Sequence, residues 1–257
     1  MTPNNSDLVS IEVEDGVASL TLNRPPLNVI HIVMLKALEN ALAKLEDNPD
    51  VRVLLLKANG KMFSAGVDIA DHTPDKVGEM IPLFDAVCCS LAGFPAPTIA
   101  VVHGHALGGG CELVLCCDLA VMALEAKIGQ PEIQLAAMAP IAALRLPYLV
   151  GYRVAADLMF TGRILTADEA LNHGLVNEVL PVHRVEDWAN DRASQLAGLS
   201  RPALLFTKRA LQMGYGNWFD SMEAIETLYL DELMNTGDAR EGLAAFMEKR
   251  KPIWKHS

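Results

Sequence analysis

The chain has 257 residues, 51% hydrophobic and 21% charged, with a formal net charge of -11. That balance excludes a disordered or fibrous polymer and fits one large folded domain, or one with a small appendage. The acidic surface argues against nucleic acid and anionic membrane as main partners, although a few local Lys and Arg can still bind an anionic ligand.

Residues 1–15 are polar and acidic with no apolar targeting core, and the apolar runs are broken well short of a membrane span. A cytoplasmic protein is expected. Residues 8–14 and 16–22 read as two strands joined at Asp15-Gly16, and Arg24-Pro25-Pro26 forces an extended loop. Residues 31–46 carry Met34, Leu35, Leu38, Leu42 and Leu45 at helical spacing. Val51 to Leu56 reads as a strand covered on both faces, Asn59-Gly60 as a turn, and Phe63 to Asp68 as a loop. A helix over 75–93, with Pro82 near its first turns, precedes a buried strand at 98–102.

A glycine-rich turn over 104–110 runs into a helix from about Gly109 to Cys117, followed by a strand at 119–123 and a small strand around Ala126, Ile128 and Gly129. Residues 135–160 read as mostly helical, interrupted near Pro140 and Pro147. Thr166-Ala167-Asp168-Glu169 is a capping box, with Thr166 as the cap and Glu169 at the third helical position. Gly174 stops that helix before a strand at 176–179. Helices follow at 185–198, from Pro202, at 218–234 and at 238–248. The alternation predicts an α/β core over residues 1–195 and a helical C-terminal region over 196–257.

The chemistry concentrates between Gly104 and Ile133. Gly104-His105-Ala106-Leu107-Gly108-Gly109-Gly110-Cys111-Glu112-Leu113 supplies a turn able to present a backbone N–H, and Glu112 and Glu132 are two carboxylates twenty residues apart. An amide donor can hold the oxyanion that grows beside a carbonyl while carboxylates move protons. The glycines do not follow the G-x-G-x-x-G spacing of a dinucleotide site. The structural alternatives are a packing role for Gly109, a helix-terminal role for Glu112 and a solvated loop for Glu132. The five cysteines, Cys88, Cys89, Cys111, Cys116 and Cys117, sit in apolar stretches without C-x-x-C spacing, so they read as buried thiols, with neither a disulfide framework nor a metal site. His103 and His105 read as packing residues beside the turn, and Asp68 as a loop-fixing carboxylate.

Phe63-Ser64-Ala65-Gly66-Val67-Asp68-Ile69, the 104–113 string, Gly129-Gln130-Pro131-Glu132-Ile133, Thr161-Gly162-Arg163 and the Ala170–Val176 stretch together resemble the enoyl-CoA hydratase/isomerase (crotonase) superfamily, over residues 8 to 250. The resemblance implies a β-β-α spiral core with a helical trimerisation region, as a homotrimer or a dimer of trimers. It implies an acyl-CoA thioester as substrate, with coenzyme A part of that substrate and no separate cofactor. The backbone N–H groups of Val67 and Gly109 match the superfamily's oxyanion hole, and Glu112 and Glu132 its two catalytic glutamates. Arg24, Ala65, Val67, Asp68, Ile69, Gly108, Gly109 and Pro131 fall on substrate-binding positions. Lys208, Arg209, Lys249 and Lys251 are candidates for the CoA phosphates.

The chain departs from the common hydratase pattern at Met138-Ala139-Pro140-Ile141-Ala142-Ala143-Leu144-Arg145-Leu146-Pro147, where many relatives carry a glycine-rich loop. That stretch, Asp71-His72-Thr73-Pro74-Asp75 and the tail strings 226–234 and 241–250 resemble the cyclohexa-1,5-diene-1-carbonyl-CoA hydratases of anaerobic benzoate degradation. The implied reaction is reversible hydration to 6-hydroxycyclohex-1-ene-1-carbonyl-CoA. Pro25-Pro26-Leu27-Asn28 and Phe84 are candidates for lining a ring-sized pocket. Alternatives are a general enoyl-CoA hydratase of fatty-acid oxidation, an enoyl-CoA isomerase, and a non-catalytic acyl-CoA-binding subunit.

Overall fold

The computed structural model describes residues 8–214 and 221–254. The expected start of a helix at 218 and the first seven residues lie outside that range. β1 (Val9–Glu14) and β2 (Val17–Leu22) form an antiparallel hairpin in which Glu14 faces Val17. Asp15 and Gly16 both take positive φ, 50° and 85°, the conformation whose twist matches a two-residue hairpin. β2 then pairs in parallel with β3 (Val53–Ala58), β3 with β4 (Thr98–Val102), β4 with β6 (Leu119–Ala123), and β6 with β9 (Glu178–Leu180). Every residue of β4 is buried, as a parallel strand covered on both faces requires.

α1 (Ile32–Glu46) and α2 (Val77–Ala92) pack on each other, and α1 packs against β1. The expected apolar stripe of α1 is buried throughout. A second sheet of β5 (Ala106–Leu107), β7 (Lys127–Gly129) and β8 (Ile164–Thr166) stands beside the first. α3 (Gly109–Leu115) leaves β5 directly, so the glycine turn lies where the small sheet ends and the first buried helix begins. α4 (Pro140–Val150) and α5 (Tyr152–Thr161) pack as neighbours, followed by α6 (Ala167–Asn172), α7 (Val182–Ala197) and α8 (Arg201–Gly214). The described C-terminal region continues with α9 (Met222–Thr227), a π-helical turn at Leu228–Glu232, a short 3-10 turn and α10 (Gly237–Met247). This is the expected α/β spiral of β-β-α units with a helical C-terminal region.

Several boundaries differ from the sequence expectation. The third strand begins at Val53 because its partner Val17 fixes the register, while Val51 is buried in the preceding turn, its N–H donating to Asn48 O. The helix expected over 135–160 is three pieces. A 3-10 turn covers Glu132–Leu135, α4 starts at Pro140, and the break between α4 and α5 falls at Gly151, not at Pro147. Pro140 opens α4 because the first helical position needs no N–H partner. The 218–234 helix does not run through either: α9 stops at Thr227 and the π turn follows. β5 and β8, two and three residues long, are too short to show a period of two. The capping box at Thr166 and Glu169 is present with both of its reciprocal hydrogen bonds.

Candidate active site

The loop over 63–68 lies between the 24–30 segment and β5, sewn to both by its backbone. Ser64 N–H donates to His105 O at 3.1 Å, Leu107 N–H to Ser64 O at 3.0 Å, Ala65 N–H to Leu27 O at 2.9 Å, and Ile30 N–H to Gly66 O at 2.9 Å. Asp68 N–H closes the ladder on Ile30 O at 2.7 Å. Gly66 sits at φ 100°, which a side chain would strain, and so turns the next amide out of the ladder. Val67 N–H and Gly109 N–H make no backbone or side-chain hydrogen bond among the described residues. The two positions adjoin: a methyl built on Gly109 would come within 2.6 Å of Val67 Cγ2, and one built on Gly66 within 3.5 Å of Gly109 N. Gly108, at φ 53°, brings the chain into α3 while its N–H donates to Gly129 O at 2.9 Å. A methyl on Gly108 would collide with the Glu132 carboxylate, which places that side chain directly over the turn.

Glu112 projects from the first turn of α3 and is 3% exposed. Its Oε1 accepts the Ala142 N–H at 3.0 Å, so the first turn of α4 fixes its orientation. Glu132 opens the 3-10 turn after Pro131 and faces a cavity. With its amide oxygen and nitrogen exchanged, the buried Gln130 side chain donates to both Glu132 carboxylate oxygens, at 3.0 and 3.3 Å. Burial pushes the Glu132 carboxyl up to about 7 and the Glu112 carboxyl well above the usual carboxylate range; repulsion from Glu132 raises Glu112 further. The repulsion falls on whichever glutamate ionises second, and Glu112 is the more enclosed. Near neutral pH the pair therefore retains a proton, giving one donor and one acceptor side by side.

The cavity at Glu132, 1080 Å³, is walled mainly by apolar side chains, among them Ile133, Met138, Ala139, Met159, Leu233 and Trp254. Ala139, Ala143 and Pro147 of the alanine-rich segment face it. Phe84 of α2 lies against Gly109, its ring 3.1 Å from where a methyl there would sit. Asn28, by contrast, is fully buried and donates to Asn59 O at 2.6 Å and Met62 O at 2.9 Å, so it braces the loop instead of lining a pocket. A second cavity of 330 Å³ runs between Ile69, His72 and Val77 on one side and Leu230, Arg240 and Met247 on the other.

Among the other candidates, Asp68 caps the 3-10 turn at Ile69–Asp71 through Ala70 N–H and lies 3.5 Å from Arg24 Nη1. Arg24 also donates to Val29 O at 2.7 Å, which holds it beside the loop. Lys208 is not available to a CoA phosphate: it is 6% exposed, 2.7 Å from Asp118 and donates to Ala96 O. Arg209 lies over the Phe206 ring, and Lys249 and Lys251 are exposed on the C-terminal segment. His103 faces Gly60 O and His105 accepts the Lys127 N–H, both bracing roles. Gln130 and Ala142 act directly on the glutamates, and nothing in residue type or spacing singled them out. Among the described residues no His, Cys, Asp or Glu cluster could hold a metal ion, and no helix is long and apolar enough to cross a membrane. All five cysteines are free thiols.

The sequence profile of the enoyl-CoA hydratase/isomerase family matches residues 12–257. A probable enoyl-CoA hydratase of Mycobacterium bovis is 34% identical over 253 residues, covering 97% of this chain and 98% of the relative. The cyclohexa-1,5-dienecarbonyl-CoA hydratase of Thauera aromatica is 34% identical over 251 residues, covering 96% of each. The crystal structure of an enoyl-CoA hydratase from Mycobacterium avium subsp. paratuberculosis superimposes with a TM-score of 0.86 at 26% identity, covering 96% of this chain and 98% of that one.

Proposed function

The chain belongs to the enoyl-CoA hydratase/isomerase family, enzymes that act on acyl-CoA thioesters, and from that premise we propose that it is a hydratase adding water reversibly across the double bond of a 2-enoyl-CoA. The observation that carries this reading is the convergence of Glu112 and Glu132, both with raised pKa, beside the unengaged N–H groups of Val67 and Gly109. The thioester oxygen sits on those two amides, which stabilise the enolate without reorganising. Water lies between the carboxyls. The unprotonated glutamate takes one water proton as oxygen bonds to Cβ, and the protonated one delivers its proton to Cα. Two carboxyls favour this over simple isomerisation, in which one base can shuttle the proton. They also argue against a binding-only subunit, because a buried carboxyl pair is costly to retain without a use.

The general 2-enoyl reading leads because relatives and solved structures named simply as enoyl-CoA hydratases recur among the matches, while the diene hydratase stands at no higher identity than they do. The cyclic-diene reading stands second, favoured by Ala139, Ala143 and Pro147 in the cavity wall, where added side-chain volume would select acyl shape. A homotrimer or dimer of trimers accompanies either reading. Phe206, Leu211 and Met213 on α8 are 62%, 62% and 84% exposed, apolar side chains that a neighbouring subunit would cover. The test incubates the purified protein with crotonyl-CoA, a longer straight-chain 2-enoyl-CoA and cyclohexa-1,5-diene-1-carbonyl-CoA, and follows the mass gain of one water. Faster turnover of the straight-chain substrates supports the leading reading. Preference for the diene replaces it with the second, and turnover of none removes hydration.

A further inference from the structure

Tyr229 lies on the π-helical turn at Leu228–Glu232, the residue having 0% exposure, and its hydroxyl has no hydrogen-bond partner among the described residues. The phenol is within electrostatic reach of Glu132, Glu112 and Asp85, in decreasing order. The segment that carries it continues from α9, which packs on α2 and on α4, the helix that supplies the Ala142 N–H to Glu112. A buried hydroxyl left unpaired costs ~1–3 kcal/mol, so a fully enclosed one points to a partner that occupies the site during the reaction. The π turn supports this, since such turns inside helices recur at functional sites. Asp85 of α2 faces the same segment: neither of its oxygens has a hydrogen-bond partner among the described residues, and burial, then the nearby Glu226 carboxylate of α9, raises its carboxyl to about 8.

We propose that Tyr229 is a third catalytic group, whose hydroxyl orients the reacting water together with Glu112 and Glu132. The proposal rests on the hydratase reading above. A buried water needs two to four polar partners. Its oxygen must also keep one lone pair aimed at Cβ. One water hydrogen goes to the glutamate acting as base. The phenol oxygen accepts the other. As the reaction proceeds, the O–Cβ bond forms, one water proton moves to the base, the π electrons of the double bond become a new C–H bond at Cα, and the acid glutamate supplies that proton. The tyrosine hydrogen stays where it is. Tyr229 is therefore neither nucleophile nor acid; it fixes the direction of attack.

The test is Tyr229→Phe, which removes one oxygen and keeps the ring. The proposal predicts a fall in kcat of about 10- to 100-fold, the worth of one lost buried hydrogen bond, with KM within about threefold and Tm unchanged or higher. A ring that only packs predicts the same or higher Tm with kcat unchanged, and that result overturns the proposal. A second measurement needs no variant kinetics. The chain has four tyrosines, so tyrosine labelled at the phenol carbon gives four resolvable signals. The one missing in Tyr229→Phe should shift when saturated hexanoyl-CoA fills the wild-type site, and an unmoved signal also overturns the proposal. Wild-type protein that hydrates no enoyl thioester removes the hydratase reading and the oriented water with it. An active wild type with an unaffected Tyr229→Phe removes the tyrosine role alone.

Discussion

Gly109→Ala tests the oxyanion geometry with a single methyl. That methyl would fall 2.6 Å from Val67 Cγ2 and 3.1 and 3.2 Å from two carbons of the Phe84 ring. Carbon atoms in contact prefer about 3.5–4.0 Å, so the Val67 side chain or the chain at Gly109 must give way by roughly 1 Å. Overpacking of this kind costs ~1–3 kcal/mol, and the better helix propensity of alanine returns up to ~1 kcal/mol, leaving a net loss of between about 0 and 3 kcal/mol in stability. The kinetic effect is larger in proportion. Misplacing one of two oxyanion donors costs ~2.7–4 kcal/mol, a fall of about 10²- to 10³-fold in kcat. The assay is steady-state hydration of a 2-enoyl-CoA alongside denaturant unfolding. A variant within threefold of wild-type kcat, with the methyl seen in place by crystallography, refutes the assignment of these two amides. Gly78→Ala is the control. A methyl there meets nothing within 4 Å, so stability should rise by up to about 1 kcal/mol with kcat unchanged.

Glu112→Gln and Glu132→Gln should each lower kcat by about 10²- to 10⁴-fold while acyl-CoA affinity, measured by calorimetry, changes little. Because burial raises Glu132 to about 7, kcat/KM should fall as pH drops below that value and the base becomes protonated. Glu112 lies higher, so an alkaline limb should follow as the acid is lost, and Glu132→Gln should remove the acid limb. Burial, then Glu226, raises Asp85 to about 8, above the ordinary carboxyl value it regains on unfolding. Its contribution to stability is complete below about pH 4 and is lost as pH rises through about 8, so Asp85→Asn should raise Tm more at pH 8 than at pH 5. Thr166→Ala should cost ~1 kcal/mol in urea unfolding by removing the capping box, without touching kcat.

The parts of this molecule that a sequence displays are those whose cause is local. The stripe of α1, the Asp15-Gly16 hairpin and the Thr166 capping box follow from spacing or turn chemistry within a few residues. The two glutamates and the glycine turn were legible because their residue types and order matched a known pattern. Gln130 and Ala142 were not, because what matters is where Gln130's amide nitrogen points and which N–H α4 offers to Glu112. Lys208 misled for the same reason. A lysine on a helix reads as solvated until Asp118, ninety residues earlier, closes over it. Tyr229 sat inside an apolar helical run, and only a π turn distinguishes it from the leucines around it.

Water labelled with oxygen-18 provides the most direct check of the central claim. Wild type, Glu112→Gln, Glu132→Gln and the double variant would be given a 2-enoyl-CoA in labelled water, and the product hydroxyl analysed by mass. The account predicts rapid incorporation into the 3-hydroxyacyl thioester by wild type, slow incorporation by each single variant, and no further large loss in the double, since the pair acts as a unit. Incorporation at wild-type rate by either single variant, or a shifted double bond with no labelled oxygen in the wild type, would contradict it.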